Sequence, residues 1–200
     1  PVDAEYPQIL NDARQAERLI ELKPNQYLLP GFIDLHVHAP QWPQAGLALD
    51  LPLADWLNHY TFPLEAKFAD SHYACRVYQD FVHQLLSHGT TTAMMFGTIH
   101  NDANVELARQ SVTQGLRAFV GQVVMDNPEQ TPDYYRNQSS VSALHATEQF
   151  IKEIFELSKK TSSTVVPVIT PRFVPSCTDE ALTGLGQLAK QYDLPVQSHL

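Results

Sequence analysis

A parallel α/β fold is the architecture that this sequence predicts, and three observations predict it. From residue 30 onward, short apolar runs of strand length alternate with segments whose apolar residues recur at helical spacing. Such alternation implies parallel strands joined by crossover helices that pack outside the sheet. Polar residues gather where the strand-like runs end, at His36, His38, Thr98, His100, Asp126, Arg172 and His199. Five strands fit either an open doubly wound sheet or part of an eight-stranded barrel. No Gly-x-Gly-x-x-Gly follows any strand, so the dinucleotide-binding version of the open sheet has no support. Active sites of parallel barrels sit at the strand ends, which is where these polar residues fall.

The elements follow in order. Phe32 to His38 reads as a buried strand introduced by Pro30-Gly31. A long connection rich in Pro and Trp, Ala39 to Asp70, precedes a helix over about Ser71 to His88. Tyr73, Val77, Phe81 and Leu85, with Ala74, Tyr78, Val82 and Leu86 beside them, form its apolar stripe, and Gly89 ends it. Thr90 to Thr98 is the second strand, and a helix runs from about Asn101 to just before Gly115. Arg117 to Met125 is the third strand. A polar loop and a helix over about Val141 to Lys160 follow, with Leu144, Ile151, Ile154, Phe155 and Leu157 facing a core. Thr164 to Phe173 is the fourth strand, Thr178 to Tyr192 the last helix, and Leu194 to Leu200 a fifth strand tipped by His199. Residues 1–29 stand outside the alternation. Glu17 to Leu22 and Gln26 to Leu29 suit short strands, and Asn11 to Arg18 suits a helix.

Bulk composition narrows the function classes. The 200 residues are 44% hydrophobic and 18% charged, a globular balance with enough apolar surface for one core. Thirteen Lys and Arg against 22 Asp and Glu give a formal charge of −9, which argues against a phosphate-tracking nucleic-acid surface. No apolar run approaches the roughly 18 residues of a membrane span. Cys75 and Cys177 make no disulfide framework, so reduced thiols in a cytoplasmic protein are expected. The sequence starts at Pro1 and stops inside a strand-like run, so it reads as a piece of a longer chain.

His36 and His38 carry the chemistry. Side chains alternate along a strand, so both imidazoles point to one face. Their neutral nitrogens suit zinc or iron(II). His199, at the tip of another parallel strand, is the natural third ligand, since catalytic zinc keeps three protein ligands and one open position.

These residues resemble the amidohydrolase superfamily of metal-dependent hydrolases. Leu29-Pro-Gly-Phe-Ile-Asp-Leu-His-Val-His38 is similar to the family's first-strand signature, and His88-Gly-Thr-Thr-Thr92 to its second strand. The match narrows to the guanine deaminase branch. His36-Val-His-Ala-Pro-Gln41, Leu51-Pro-Leu-Ala-Asp-Trp-Leu57 with Tyr60-Thr-Phe-Pro63, Thr170-Pro-Arg-Phe173 and Gln197-Ser-His199 occur in the expected order. The resemblance implies a (β/α)8 TIM barrel, of which residues 30–200 would be the N-terminal part with about five strands. Residues 1–29 would be the end of a small β-sandwich domain and a linker.

It further implies zinc-dependent deamination of guanine to xanthine and ammonia, with one zinc held by His36, His38 and His199. Gln41, Arg172, Phe173 and His199 would bind the purine. Gln41 brings both a donor and an acceptor, Arg172 a planar donor fork and Phe173 an aromatic face. The carboxylates that move protons would be a Glu after His199 and an Asp on the eighth strand. Both are expected beyond Leu200, so no catalytic residue other than the metal ligands falls within the chain, and this piece alone is expected to be inactive. A homodimer is expected from the family. The alternatives are a related amidohydrolase acting on another heterocyclic amine, or a non-catalytic scaffold on the same barrel.

Two other metal chemistries are disfavoured. The Cys-x-x-Cys of nucleoside-type zinc deaminases is missing. The lysine that bridges two metals in some amidohydrolases has no counterpart at the end of the fourth strand, where Thr170-Pro-Arg-Phe173 stands.

Overall fold

The computed structural model describes residues 6–199. The chain divides into two compact units, Pro1–Pro30 and Gly31–Leu200. Among the described residues of the first, one helix, α1 (Pro7–Gln15), starts on a proline at its N-terminal turn, where the missing N–H costs nothing. It buries no residue. The strands expected at 17–22 and 26–29 do not form. A strand is stable only when a neighbour pairs with its N–H and C=O groups, and no described residue pairs with these.

The second unit is a four-stranded parallel sheet in the order β1 (Phe32–His38), β2 (Thr90–Phe96), β3 (Arg117–Val124) and β4 (Val165–Pro171). Ladders run Met95↔Val120 and Val120↔Pro167 through its centre. The fifth position holds two bridges, Ile169↔Val196 and Phe173↔His199, rather than the full strand expected over 194–200. Pro195 has no N–H to give and interrupts a ladder there.

Helices α4 (Ser71–Ser87), α5 (Asn101–Gln114), α6 (Ser140–Ser158) and α7 (Asp179–Tyr192) alternate with the strands, close to the predicted bounds. Their starts are chemically encoded. Asp70 accepts from the amides of His72 and Tyr73 at the head of α4. Ser139 and Ser142 form a reciprocal capping pair at α6. The side chain of Thr178 accepts from Ala181 at α7 and is itself tied to Asp126, 2.7 Å away. Gly89 and Gly115, with φ of +88° and +85°, take the left-handed turn that ends α4 and α5.

The main core lies between α4, α5 and the sheet. Tyr78, Phe81, Val82, Met95, Leu107, Leu116 and Val120 are buried there. A second cluster of Val124, Ile151, Ile169, Ala181 and Leu185 seats α6 and α7. A third, of Phe62, Phe96, Val123, Met125 and Tyr135, fills the C-terminal ends of the strands.

The burial expected of the first strand needs correction. The first strand is not buried: Phe32, Ile33 and Leu35 are 62–65% exposed. It is the edge of the described sheet, with a ladder on one side only. The long connection 39–70 is built of short helical pieces. It winds through a 3-10 turn (Ala39–Gln44), α2 (Leu53–Trp56), a π-helical turn (Leu57–Thr61) and α3 (Phe62–Ala66). Prolines at 40, 52 and 63 stand at or beside the starts of these pieces, where proline is tolerated, and keep them short. Cys75 and Cys177 are free, and no described helix is long and apolar enough to cross a membrane.

Candidate metal centre and ring pocket

Three imidazoles meet at the C-terminal ends of the strands. The ligating nitrogens of His36, His38 and His199 all lie within 4.8 Å of one another. Strand alternation supplies the first two as predicted, their ring centroids 5.5 Å apart. The β1–β2 register shifts between Asp34 and Val37, and the Asp34 carboxylate accepts from the His36 amide at 3.0 Å. That bond satisfies a donor which the irregular ladder would otherwise leave open. Phe96 on β2 stacks on the His38 ring at 4.5 Å and 14° and sets its plane.

His199 arrives by a separate route. The Gln197 amide donates to Ile169 O at 2.9 Å, and Ile169 donates back to Pro195 O at 3.0 Å. The Gln197 side chain then crosses β3, donating to Met95 O on β2 (3.1 Å) and to Thr170 Oγ1 on β4 (3.0 Å). It can cross there because residue 121 is glycine, where a Cβ would stand 2.3 Å from Gln197 Nε2. The ring is oriented by Nδ1–H donating to the carbonyl of Arg172. This leaves Nε2 with its lone pair, facing His38 Nε2 at 2.9 Å.

The His38–His199 nitrogen pair has the spacing of two ligands on one divalent ion. Two nitrogens that share one zinc at about 2.0–2.1 Å stand about 3 Å apart, as these do. Burial, then the Arg172 charge and the other two histidines, holds the His38 pKa well below its ordinary value. Burial lowers that of His199 as well, against the opposing bond to Arg172 O. Both shifts favour the neutral imidazole, the form that binds metal.

A cavity of about 430 Å³ opens beside the histidines, lined by His38, Gln41, Leu53, Trp56, Leu57, Arg172, Phe173 and His199. All the residues singled out as purine-binding in the sequence line it. Leu53, Trp56 and Leu57 line it too. His100 does not. It heads α5 with its ring 5.8 Å from Tyr135.

Glu65 was not foreseen. Its side chain is fully buried on α3 and forms a two-pronged ion pair with Arg172: Nη1 donates to Oε2, and Nη2 to Oε1 at 3.0 Å. Gln41 Nε2 donates to the same Oε1 at 3.0 Å. The Arg172 guanidinium also lies 5.1 Å from the centre of the Phe62 ring. Tyr78 and Tyr135 place two buried hydroxyls in the field of this carboxylate. Burial and Glu65 together hold both phenols well above their usual pKa. The motif read from the sequence stops at Pro63, two residues short of Glu65. The available signal was a lone carboxylate in the apolar stretch Phe62–Phe68, since a buried charge needs a partner.

Comparison with known proteins bears on this site. A model of the amidohydrolase family matches residues 27–200. A probable guanine deaminase of Schizosaccharomyces pombe is 43% identical over 199 residues, spanning 97% of this chain and 37% of that protein. The guanine deaminase of Rattus norvegicus is 44% identical over 180 residues, spanning 90% and 38%. A crystal structure of guanine deaminase from C. acetobutylicum with bound guanine in the active site superposes with a TM-score of 0.80 at 44% identity, over 86% of this chain and 39% of that one. The chain thus spans about two fifths of the length of the relatives it matches.

Proposed function

The chain belongs to the amidohydrolase family, and from that premise we propose that it is the N-terminal part of a metal-dependent hydrolase barrel that deaminates guanine to xanthine and ammonia. The observation that carries the reading is the meeting of His36, His38 and His199, of which His38 and His199 line a cavity together with Gln41, Arg172 and Phe173. In this reading the small unit 1–29 is the end of a β-sandwich domain and a linker.

The three histidines would hold one divalent ion, zinc by preference, with iron(II) also suited to the donors. When bound, that ion supplies Lewis-acid activation of water near neutral pH. The remaining work falls to side chains. The Arg172 carbonyl keeps His199 in the tautomer whose Nε2 faces the cavity. Gln41 spends one amide N–H on Glu65 and keeps its carbonyl oxygen to accept from a ring N–H. Arg172 spends two of the five N–H groups of a guanidinium on Glu65, and the others remain for the ring carbonyl. Phe173, 40% exposed, offers its face to the ring, while Leu53, Trp56 and Leu57 exclude water from it. Proton transfer from water to the ring and the leaving amine needs a carboxylate, and the reading assigns this to the longer protein.

The free thiols suit a reducing cytoplasm, and a homodimer is the assembly that the reading carries over from the family. The test is metal content and the ultraviolet change on adding guanine to the full-length protein, with adenine and cytosine as controls. One zinc per chain and turnover of guanine alone is the expected result. Bound zinc without guanine turnover would refute the substrate assignment and leave the ligands standing.

A further inference from the structure

The chemistry proposed above needs Gln41 and Arg172 to meet one planar ring at fixed positions, yet the two come from distant parts of the chain. Gln41 sits in the 3-10 turn after β1, and Arg172 follows β4. Neither bonds the other, and both bond Glu65. Its Oε1 accepts from Gln41 Nε2 and from Arg172 Nη2, each at 3.0 Å, while Oε2 accepts from Arg172 Nη1. Glu65 is 0% exposed and Arg172 5%, so water does not compete for these bonds. The carboxylate touches none of the three histidines and does not line the cavity.

Two consequences follow from donor and acceptor chemistry. An ionised carboxylate only accepts, so Gln41 must present its NH₂ to Glu65, which turns its carbonyl oxygen away from that carboxylate. A two-pronged pair fixes the guanidinium plane as well as its position. We infer that Glu65 is a positioning residue for ring specificity: one buried carboxylate sets the amide orientation of Gln41 and the plane of Arg172, and so selects a ring that offers an N–H donor beside a carbonyl acceptor. This rests on the assignment of Gln41 and Arg172 as purine-binding groups.

The test uses the full-length, metal-loaded protein and two purines. Guanine carries the carbonyl. 2-Aminopurine keeps the amino-bearing carbon and lacks the carbonyl. Glu65→Gln preserves shape but replaces one acceptor oxygen by a donor NH₂, which opposes either Arg172 or Gln41. The expected result is a KM for guanine raised by about tenfold or more with kcat changed less. The preference for guanine over 2-aminopurine should fall in parallel, and metal content should stay at the wild-type value. Arg172→Met should give the same loss of preference, and the double variant should lose little beyond either single one.

Should Glu65→Gln not fold, Glu65→Asp serves. It keeps the charge but is one methylene too short to hold both partners, and the same loss of preference is expected. An intact preference in Glu65→Asp or Glu65→Gln overturns the inference, as does an equal loss for both purines, or a failure of both variants to fold. A wild type that turns over neither purine, or an Arg172→Met variant that keeps the preference, defeats the functional reading first and is recognisable as such.

Discussion

Replacing Gly121 by alanine tests how the third histidine is held. Gly121 lies on β3, paired with Phe96 and Val168. The Gln197 side chain passes over it to reach both Met95 O and Thr170 Oγ1. A Cβ at residue 121 would stand 2.1 Å from Thr170 Oγ1 and 2.3 Å from Gln197 Nε2, where real contacts stop near 3.0 Å. Both neighbours must therefore retreat by about 0.7–0.9 Å. The strand backbone itself accepts alanine, so the penalty comes from packing and from the bonds it displaces. Forcing one extra carbon into a filled site costs about 1–3 kcal/mol. Losing the two Gln197 bonds costs about 0.5–1.5 kcal/mol each. Together these give roughly 2–6 kcal/mol. Because Gln197 is two residues from His199, the same shift moves a metal ligand. Guanidinium denaturation and bound metal after gel filtration, both on the full-length protein, read the two effects. A loss below about 0.5 kcal/mol with full metal retention would refute the clamp.

Further outcomes are expected. His38→Ala should remove the bound ion while the circular dichroism spectrum stays native, and a variant that still holds one equivalent would cancel its assignment as a ligand. Chelator treatment of the wild type should lower Tm, because an ion that binds only the folded state stabilises it; Tm should return on adding zinc. Arg172→Met strands a fully buried Glu65 and should destabilise by about 3–5 kcal/mol, read by denaturant titration. Asp70→Ala removes the acceptor for two amides of α4 and should cost about 0.5–2 kcal/mol, with guanine turnover unchanged.

The parts of the molecule legible in the sequence are those set by local period and local chemistry. β2 to β4 and the helices between them follow from apolar spacing and from the helix-ending Gly89. The shared face of His36 and His38 follows from strand alternation alone. What was missed depends on contacts far apart in the chain. The ion pair of Glu65 with Arg172 joins residues 107 apart, and the helical pitch of 62–66 says nothing about what lies across the cavity. The exposure of Ile33 and Leu35 likewise depends on the neighbours of β1, while their apolar character alone suggested burial. Leu53, Trp56 and Leu57 show the same limit, since one helical stripe can face either a core or a ring pocket.

The shared carboxylate also constrains how such a pocket can change over generations. A substitution at residue 172 that suits a different ring abandons a buried anion, and one at residue 65 disturbs both of its dependants at once. Each single step is therefore penalised, whereas a joint replacement of 65 and 172 by apolar residues of matching volume need not be. Ring preference at this site should thus be epistatic, shifting by paired replacements rather than by gradual drift. A mutational library aimed at a new heterocycle should randomise 41, 65 and 172 together.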